Sequence, residues 1–181
     1  MTAKENKGNS QLKKSSPQAP EPSGLNLKRL VQIGVVVSDL DQTTRLLTSL
    51  FGMGPFSFVE WPNRPGSKYQ YRGVEEHIRI SQAFVQLGNV EVELIQPLAG
   101  ERNAYKEFLD QDGGGIHHVL FEVPDIEVAL QQMAEAGVTV LQSGTGIRPG
   151  TRWALLDTRE TVGFYIELRH RPGDSDGSSV S

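Results

Sequence analysis

Apolar and polar residues alternate from Val31 to Val37 (VQIGVVV) and again from His117 to Val123 (HHVLFEV), a period of two that predicts strands. Each run leads into a capping residue, Asp39 or Asp125, and then into apolar residues at helical spacing. Leu40, Leu46, Leu47 and Leu50 mark the first helix; Ile126, Leu130, Met133 and Ala134 mark the second. Gly52 and Gly137 stand where these helices should stop. Strand patterns follow at 55–61, 77–87 and 90–97 in the first half, with Gly88 and Asn89 as a hairpin turn. In the second half they fall at 138–143, 152–157 and 163–170. A short helix is expected between the halves, near 103–111.

The two halves repeat one another. At one constant offset Gln32 falls on His118, Ile33 on Val119, Val35 on Phe121, Val37 on Val123 and Asp39 on Asp125. Two copies of one unit pair to complete a core that neither closes alone. The expected fold is therefore α+β, with two paired βαβββ modules at 30–98 and 113–170 and a linker helix within 99–112. Residues 1–26 and 171–181 are rich in Lys, Ser, Pro and Gly with little to bury, and are expected to be disordered tails around a folded part at 27–170.

Strand parity separates the two adjacent histidines. His117 shares its parity with Val119, Phe121 and Val123, the face expected to pack under the following helix, and reads as structural. His118 points the other way, as do Gln32 in the first copy, Glu91 and Glu93 in VEVELI, and Tyr165 and Glu167 in GFYIEL. If the two sheets form one trough, Gln32, Glu93, His118 and Glu167 can converge from four strands. One imidazole, two carboxylates and an amide oxygen suit an open-coordinated divalent metal ion such as Zn, Co, Ni, Mn or Mg. His77 and His170 read as surface residues.

Composition removes several alternatives. The chain has no cysteine, which excludes disulfides, thiolate metal sites and thiol nucleophiles. Its net charge of −4 argues against nucleic-acid binding. No apolar run is long enough for a membrane span, and the N-terminus lacks the apolar stretch of a secretory signal, so a cytoplasmic protein is expected.

The stretches AFVQLGNVEVELIQPLAG, GGGIHHVLFEVPDI and FYIEL resemble the vicinal oxygen chelate superfamily of glyoxalases, bleomycin resistance proteins and dioxygenases, and within it the methylmalonyl-CoA epimerase branch. The resemblance implies a metal held by Gln32, Glu93, His118 and Glu167. It implies removal of a proton α to a carbonyl or thioester, with Glu167 as the proton carrier and Glu93 as a second ligand and partner base. Epimerases carry histidine where this chain has Gln32; the quartet Gln, Glu, His, Glu instead resembles zinc-type glyoxalase I, a lactoylglutathione lyase. The partner implied is a small-molecule substrate, an acyl-CoA or a glutathione adduct, and the assembly implied is a homodimer. A metal-free binding protein of the same fold is the third reading. Trp61, Tyr69, Trp153 and Tyr165 are candidates for the pocket wall, with Arg64, Lys68 and Arg148 as anion contacts. The polar segment PNRPGSKYQYRGVEEH reads either as a pocket rim or as a solvated loop.

Overall fold

The two repeated first strands lie side by side at the centre of the sheet in a computed structural model that describes residues 25–62, 65–98 and 102–173. They are β1 (Leu30–Val36) and β7 (Gly115–Glu122), and they pair antiparallel. β1 is flanked on its other side by β6 (Val90–Pro97), then β5 (Ile80–Leu87) and β2 (Ser57–Trp61). β7 is flanked by β10 (Tyr165–His170), β9 (Arg152–Leu156) and β8 (Val140–Thr145) in the same relation. Each first strand is parallel to its module's last strand, β1 with β6 and β7 with β10. This equivalence is the repeat of the sequence expressed as a local two-fold arrangement.

The helices follow from capping and amphipathic spacing. α1 (Leu40–Phe51) starts at Asp39, whose carboxylate accepts from the Gln42 N–H at 2.7 Å, and ends at Gly52 in the left-handed conformation. α3 (Ile126–Glu135) starts at Asp125, which accepts from the Glu127 and Val128 N–H groups. Its cap is Ala136, one residue before the expected Gly137. α1 buries Leu40 and Thr44 and packs Leu47 against Ala83 and Leu94. Leu46 and Leu50 face solvent, contrary to the expectation from their spacing, because they lie outside the stripe set by Leu40, Thr44 and Leu47. α3 packs Ile126 and Ala129 with Val123, Ala154, Leu156 and Leu168. Leu25 and Leu27 join that cluster, so the packed chain begins inside the stretch expected to be a tail. The remainder of the expected tails, 1–24 and 174–181, lies outside the described residues.

The segment between β2 and β5 is not a plain loop. It forms β3 (Tyr69–Tyr71) and β4 (Val74–Glu75), and β3 pairs antiparallel with β8 of the other module. First-module residues thus extend the second module's edge into one ten-stranded sheet. Tyr69 and Tyr71 are buried in a cluster with Trp61, Ile80, Ile95, Leu141 and Leu155.

α2 (Ala104–Asp112) brings Ala104, Tyr105 and Phe108 into the same cluster. Fully buried Gln142 of β8 locks this junction: its Oε1 accepts from the Ala104 N–H at 2.8 Å and from the Tyr69 hydroxyl. Gln142→Leu leaves both donors unpaired in the interior. The expected loss is about 2–3 kcal/mol of stability, read from the urea midpoint. α4 (Arg159–Val162) is a single turn leading into β10. Among the described residues no helix is long and apolar enough to cross a membrane.

Candidate metal and proton-transfer site

Four neighbouring strands, β6, β1, β7 and β10, carry the four residues singled out in the sequence. Registration sets their rows. Glu93 and His118 both pair with Gly34, one from each side, and His118 pairs in turn with Tyr165. Gly34 supplies the space for the imidazole. A Cβ built there would stand 2.0 Å from His118 Cε1 and 2.4 Å from each ring nitrogen. His118 is fully buried, and its Nε2 lies 3.6 Å from Glu93 Oε2 and 3.4 Å from Glu167 Oε2. That nitrogen has no hydrogen-bond partner. Glu93 and Glu167 are themselves buried, each 6 % exposed.

Gln32 lies on the same wall, 3 % exposed, and its Nε2 donates to Glu91 Oε1 at 2.6 Å. Glu91, which the sequence places at the same parity as Glu93, therefore anchors the amide of Gln32. Two residues that parity and motif reasoning did not single out also belong here. Gln82 of β5 donates to Glu93 Oε1 while its own Oε1 is buried without a partner. Tyr105 of α2 lines the cavity, close enough to feel the charges of Glu167 and Glu93. Only its place on the linker helix could have hinted at it.

His117 departs from the expected parity. The pairing passes from Gly34 with His118 to Val35 with Ile116, which leaves His117 as the extra residue of a β-bulge. A bulge breaks strict alternation, so His117 does not pack under α3. It lies against Tyr105, Phe108 and Tyr165, with ring centroids 5.0, 5.0 and 4.7 Å away. The two histidine Nδ1 atoms are 3.1 Å apart. The preceding Gly113, Gly114 and Gly115 all have positive φ, and a Cβ on Gly114 would stand 2.7 Å from the Val36 carbonyl oxygen. The three glycines let the chain enter the bulge.

Gln32, Glu91, Glu93 and Glu167 line a cavity of about 250 Å³ together with Trp61, Trp153, Gln82, Tyr105 and Arg148, whereas fully buried His118 stands behind the two carboxylates and does not itself line it. Of the other expected wall and anion residues, Tyr69 is buried against Trp153 with centroids 6.2 Å apart, and Tyr165 packs on His117. Neither lines the cavity, nor does Lys68. Arg64 lies outside the described residues.

Burial and the neighbouring Glu93 raise Glu167 to about 7, against the opposing pull of His118. Burial drives His118 down, but Glu167 and Glu93 outweigh it and hold its pKa above the usual value. Burial, reinforced by His118, keeps His117 well below the histidine range and so neutral. For Glu167 the folded pKa exceeds the unfolded one. Its contribution is complete below about 4.5 and is lost as pH rises through about 7. In chelator-treated protein, Glu167→Gln should therefore gain on the wild type as pH rises from 5 to 8, by on the order of 3 kcal/mol. Parallel urea midpoints at the two pH values check this; a constant difference contradicts it.

Among the described residues no three His, Asp or Glu side chains converge on one point at ligand distance; His118 faces the two carboxylates directly, as an ion pair does. The donor set nonetheless fits a divalent cation. It offers a buried ring nitrogen, two buried carboxylates that a single imidazole cannot fully neutralise, and an anchored amide.

The family model for the glyoxalase/bleomycin resistance protein/dioxygenase superfamily matches residues 31–154. The chain belongs to that superfamily. Mitochondrial methylmalonyl-CoA epimerase of Bos taurus is 32 % identical over 145 residues, covering 79 % of this chain and 74 % of that protein. Ethylmalonyl-CoA/methylmalonyl-CoA epimerase of Cereibacter sphaeroides is 42 % identical over 66 residues, 36 % of this chain and 48 % of that protein. Among solved structures, a variant of Streptomyces coelicolor methylmalonyl-CoA epimerase in complex with 2-nitronate-propionyl-CoA superposes with a TM-score of 0.62 at 22 % identity, covering 81 % of this chain and 99 % of that one. The superfamily's paired-module trough is thus the α+β fold expected from the sequence.

Proposed function

We propose that this superfamily member is a metal-dependent epimerase that moves a proton at the carbon α to the thioester carbonyl of an acyl-CoA, in the manner of methylmalonyl-CoA epimerase. One observation carries the reading: the Nε2 of fully buried His118 lies between two buried carboxylates, 3.6 and 3.4 Å from their oxygens. The epimerase relatives supply the substrate class. Gln32, Glu93, His118 and Glu167 would hold the divalent ion, which supplies Lewis-acid stabilisation of the charge that develops on the carbonyl oxygen.

The remaining steps belong to the side chains. The Glu167 carboxylate takes the α-proton from one face of the substrate, and its burial tunes it toward neutrality for that step. Glu93, the second carboxylate, on the opposite side of His118 and held by Gln82, delivers a proton to the other face, which inverts the centre. Neutral His117 accepts the Nδ1–H of His118, which fixes the tautomer that leaves the Nε2 lone pair toward the carboxylates. Glu91 holds the Gln32 amide group so that its carbonyl oxygen is the ligand atom.

The Gln32-containing quartet favours a second reading, glyoxalase-type isomerisation of a glutathione hemithioacetal, in which the proton moves to the neighbouring carbon. One experiment separates the two. Metal-loaded protein is given methylmalonyl-CoA in D2O, and in parallel the hemithioacetal of methylglyoxal and glutathione. Deuterium at the α-carbon without loss of hemithioacetal supports the epimerase; the reverse overturns it in favour of the lyase.

A further inference from the structure

Glu93 on β6 and Glu167 on β10 hold equivalent places in the two modules, each on the strand that runs parallel to its module's first strand. A trough built from such a pair alone has no preferred direction. Tyr105 breaks the equivalence, because α2 lies in the linker and belongs to neither copy of the repeat. Tyr105 is 4 % exposed and lines the cavity with Gln32, Glu93 and Glu167. Its ring centroid stands 5.0 Å from that of His117 and 6.3 Å from that of His118. Glu167 and Glu93 act on its hydroxyl through their charge and not through a hydrogen bond.

The helix that carries Tyr105 is pinned on two sides. The Ala104 N–H donates to Gln142 Oε1 at 2.8 Å, and Glu107 accepts from the Tyr71 hydroxyl and from Arg72 Nη2 at 3.1 Å. A polar group held this way needs no reorganisation when charge develops beside it. The Gln142 amide also faces the Tyr105 hydroxyl. Its Oε1 is taken by Ala104 and by the Tyr69 hydroxyl, so what it offers Tyr105 is N–H, to the phenolic oxygen. The phenolic proton is left for an acceptor in the cavity. Burial, reinforced by the charges of Glu167 and Glu93, holds the hydroxyl well above its ordinary value, so it keeps that proton near neutral pH.

We infer that the Tyr105 hydroxyl donates a hydrogen bond to the substrate's carbonyl oxygen beside the reacting carbon, and so fixes which way round the substrate lies in a nearly symmetric trough. This rests on the acyl-CoA reading given above. There the reacting carbon sits between Glu167 and Glu93, and its carbonyl oxygen is two bonds away. A hydroxyl within reach of both charges but bonded to neither carboxylate falls beside that oxygen. The bond strengthens as the oxygen gains charge, and Tyr105 itself transfers no proton.

Tyr105→Phe removes the hydroxyl and keeps the ring against His117 and His118. The metal-loaded full chain is assayed for α-deuterium exchange into methylmalonyl-CoA and for isomerisation of the methylglyoxal–glutathione hemithioacetal. Titration calorimetry with 2-nitronate-propionyl-CoA, a planar anion in place of the enolate, gives a readout without turnover. The variant should lose roughly 10- to 100-fold in kcat for exchange, keep KM within about twofold, and lose a similar factor in nitronate affinity. Its Co(II) absorption and circular dichroism should match the wild type, which a packing defect beside the histidines would not allow. Unchanged kcat and nitronate affinity overturn the inference and leave the acyl-CoA reading standing. A raised KM with kcat unchanged also overturns it, because the hydroxyl then contributes only uniform binding. Wild type that acts on the hemithioacetal and not on methylmalonyl-CoA sinks the acyl-CoA reading; a similar loss of kcat there in Tyr105→Phe upholds the donor, and no loss overturns it. Wild type active on neither overturns both.

Discussion

Glu167→Gln is expected to lower the rate of α-proton exchange by about 10³-fold while the protein keeps its fold. The substitution preserves shape in a position only 6 % exposed. The amide has no lone pair basic enough to accept a carbon-bound proton, so the proton has no carrier on that side of the trough. The change also removes a charge 3.4 Å from His118 Nε2, which would weaken metal binding as well. The two effects separate at saturating metal: kcat stays low if Glu167 carries the proton, and recovers if it serves only as a ligand. Circular dichroism before and after loading shows that the fold is retained. Recovery to within a few-fold of the wild type would move the proton to Glu93.

The second large effect is expected at a residue with no functional group. Gly34→Ala puts a methyl group 2.0 Å from His118 Cε1. The imidazole is fully buried, with Tyr105 6.3 Å and His117 5.4 Å away between ring centroids, so it cannot retreat without displacing them. Affinity for Co(II), followed by its absorption, should fall by about 100-fold, and stability by about 1–3 kcal/mol. Gly137→Ala is the control. Its φ of +78° makes alanine unfavourable there, but a Cβ would meet nothing within 4 Å, so it should lose stability and keep its metal. Equal metal affinity in Gly34→Ala and wild type would show that His118 is not a ligand.

Much of the fold was legible because its determinants are local and repeated. Alternation places β6 at Val90–Pro97, the span read from the sequence, and Asp39 and Asp125 cap the helices they precede. The doubled pattern predicts the paired modules, and parity together with the family motif singles out Glu93, His118 and Glu167, which the strands bring to one place. What escaped is non-local or depends on one inserted residue. Nothing near Tyr69 announces that β3 will pair with β8, 73 residues away as the Tyr69–Gln142 hydrogen bond counts it. The bulge at His117 breaks the period on which its structural reading rested, although the three glycines before it were a visible sign of unusual backbone. On α1 helical spacing admits more than one stripe, and packing against Ala83 and Leu94 selects Leu40, Thr44 and Leu47 over Leu46 and Leu50. Gln82 and Glu91 act through other side chains, Glu93 and Gln32, so their roles exist only once strands are in register.

Whether the four side chains hold a metal is decided by metal content of the purified protein, measured by elemental analysis after loading and desalting, for wild type beside His118→Ala and Glu167→Ala. Close to one divalent ion per wild-type chain is expected, lost from both variants while their circular dichroism is unchanged. Metal retained by folded His118→Ala, or none taken up by the wild type from Zn, Co, Ni or Mn, would contradict it.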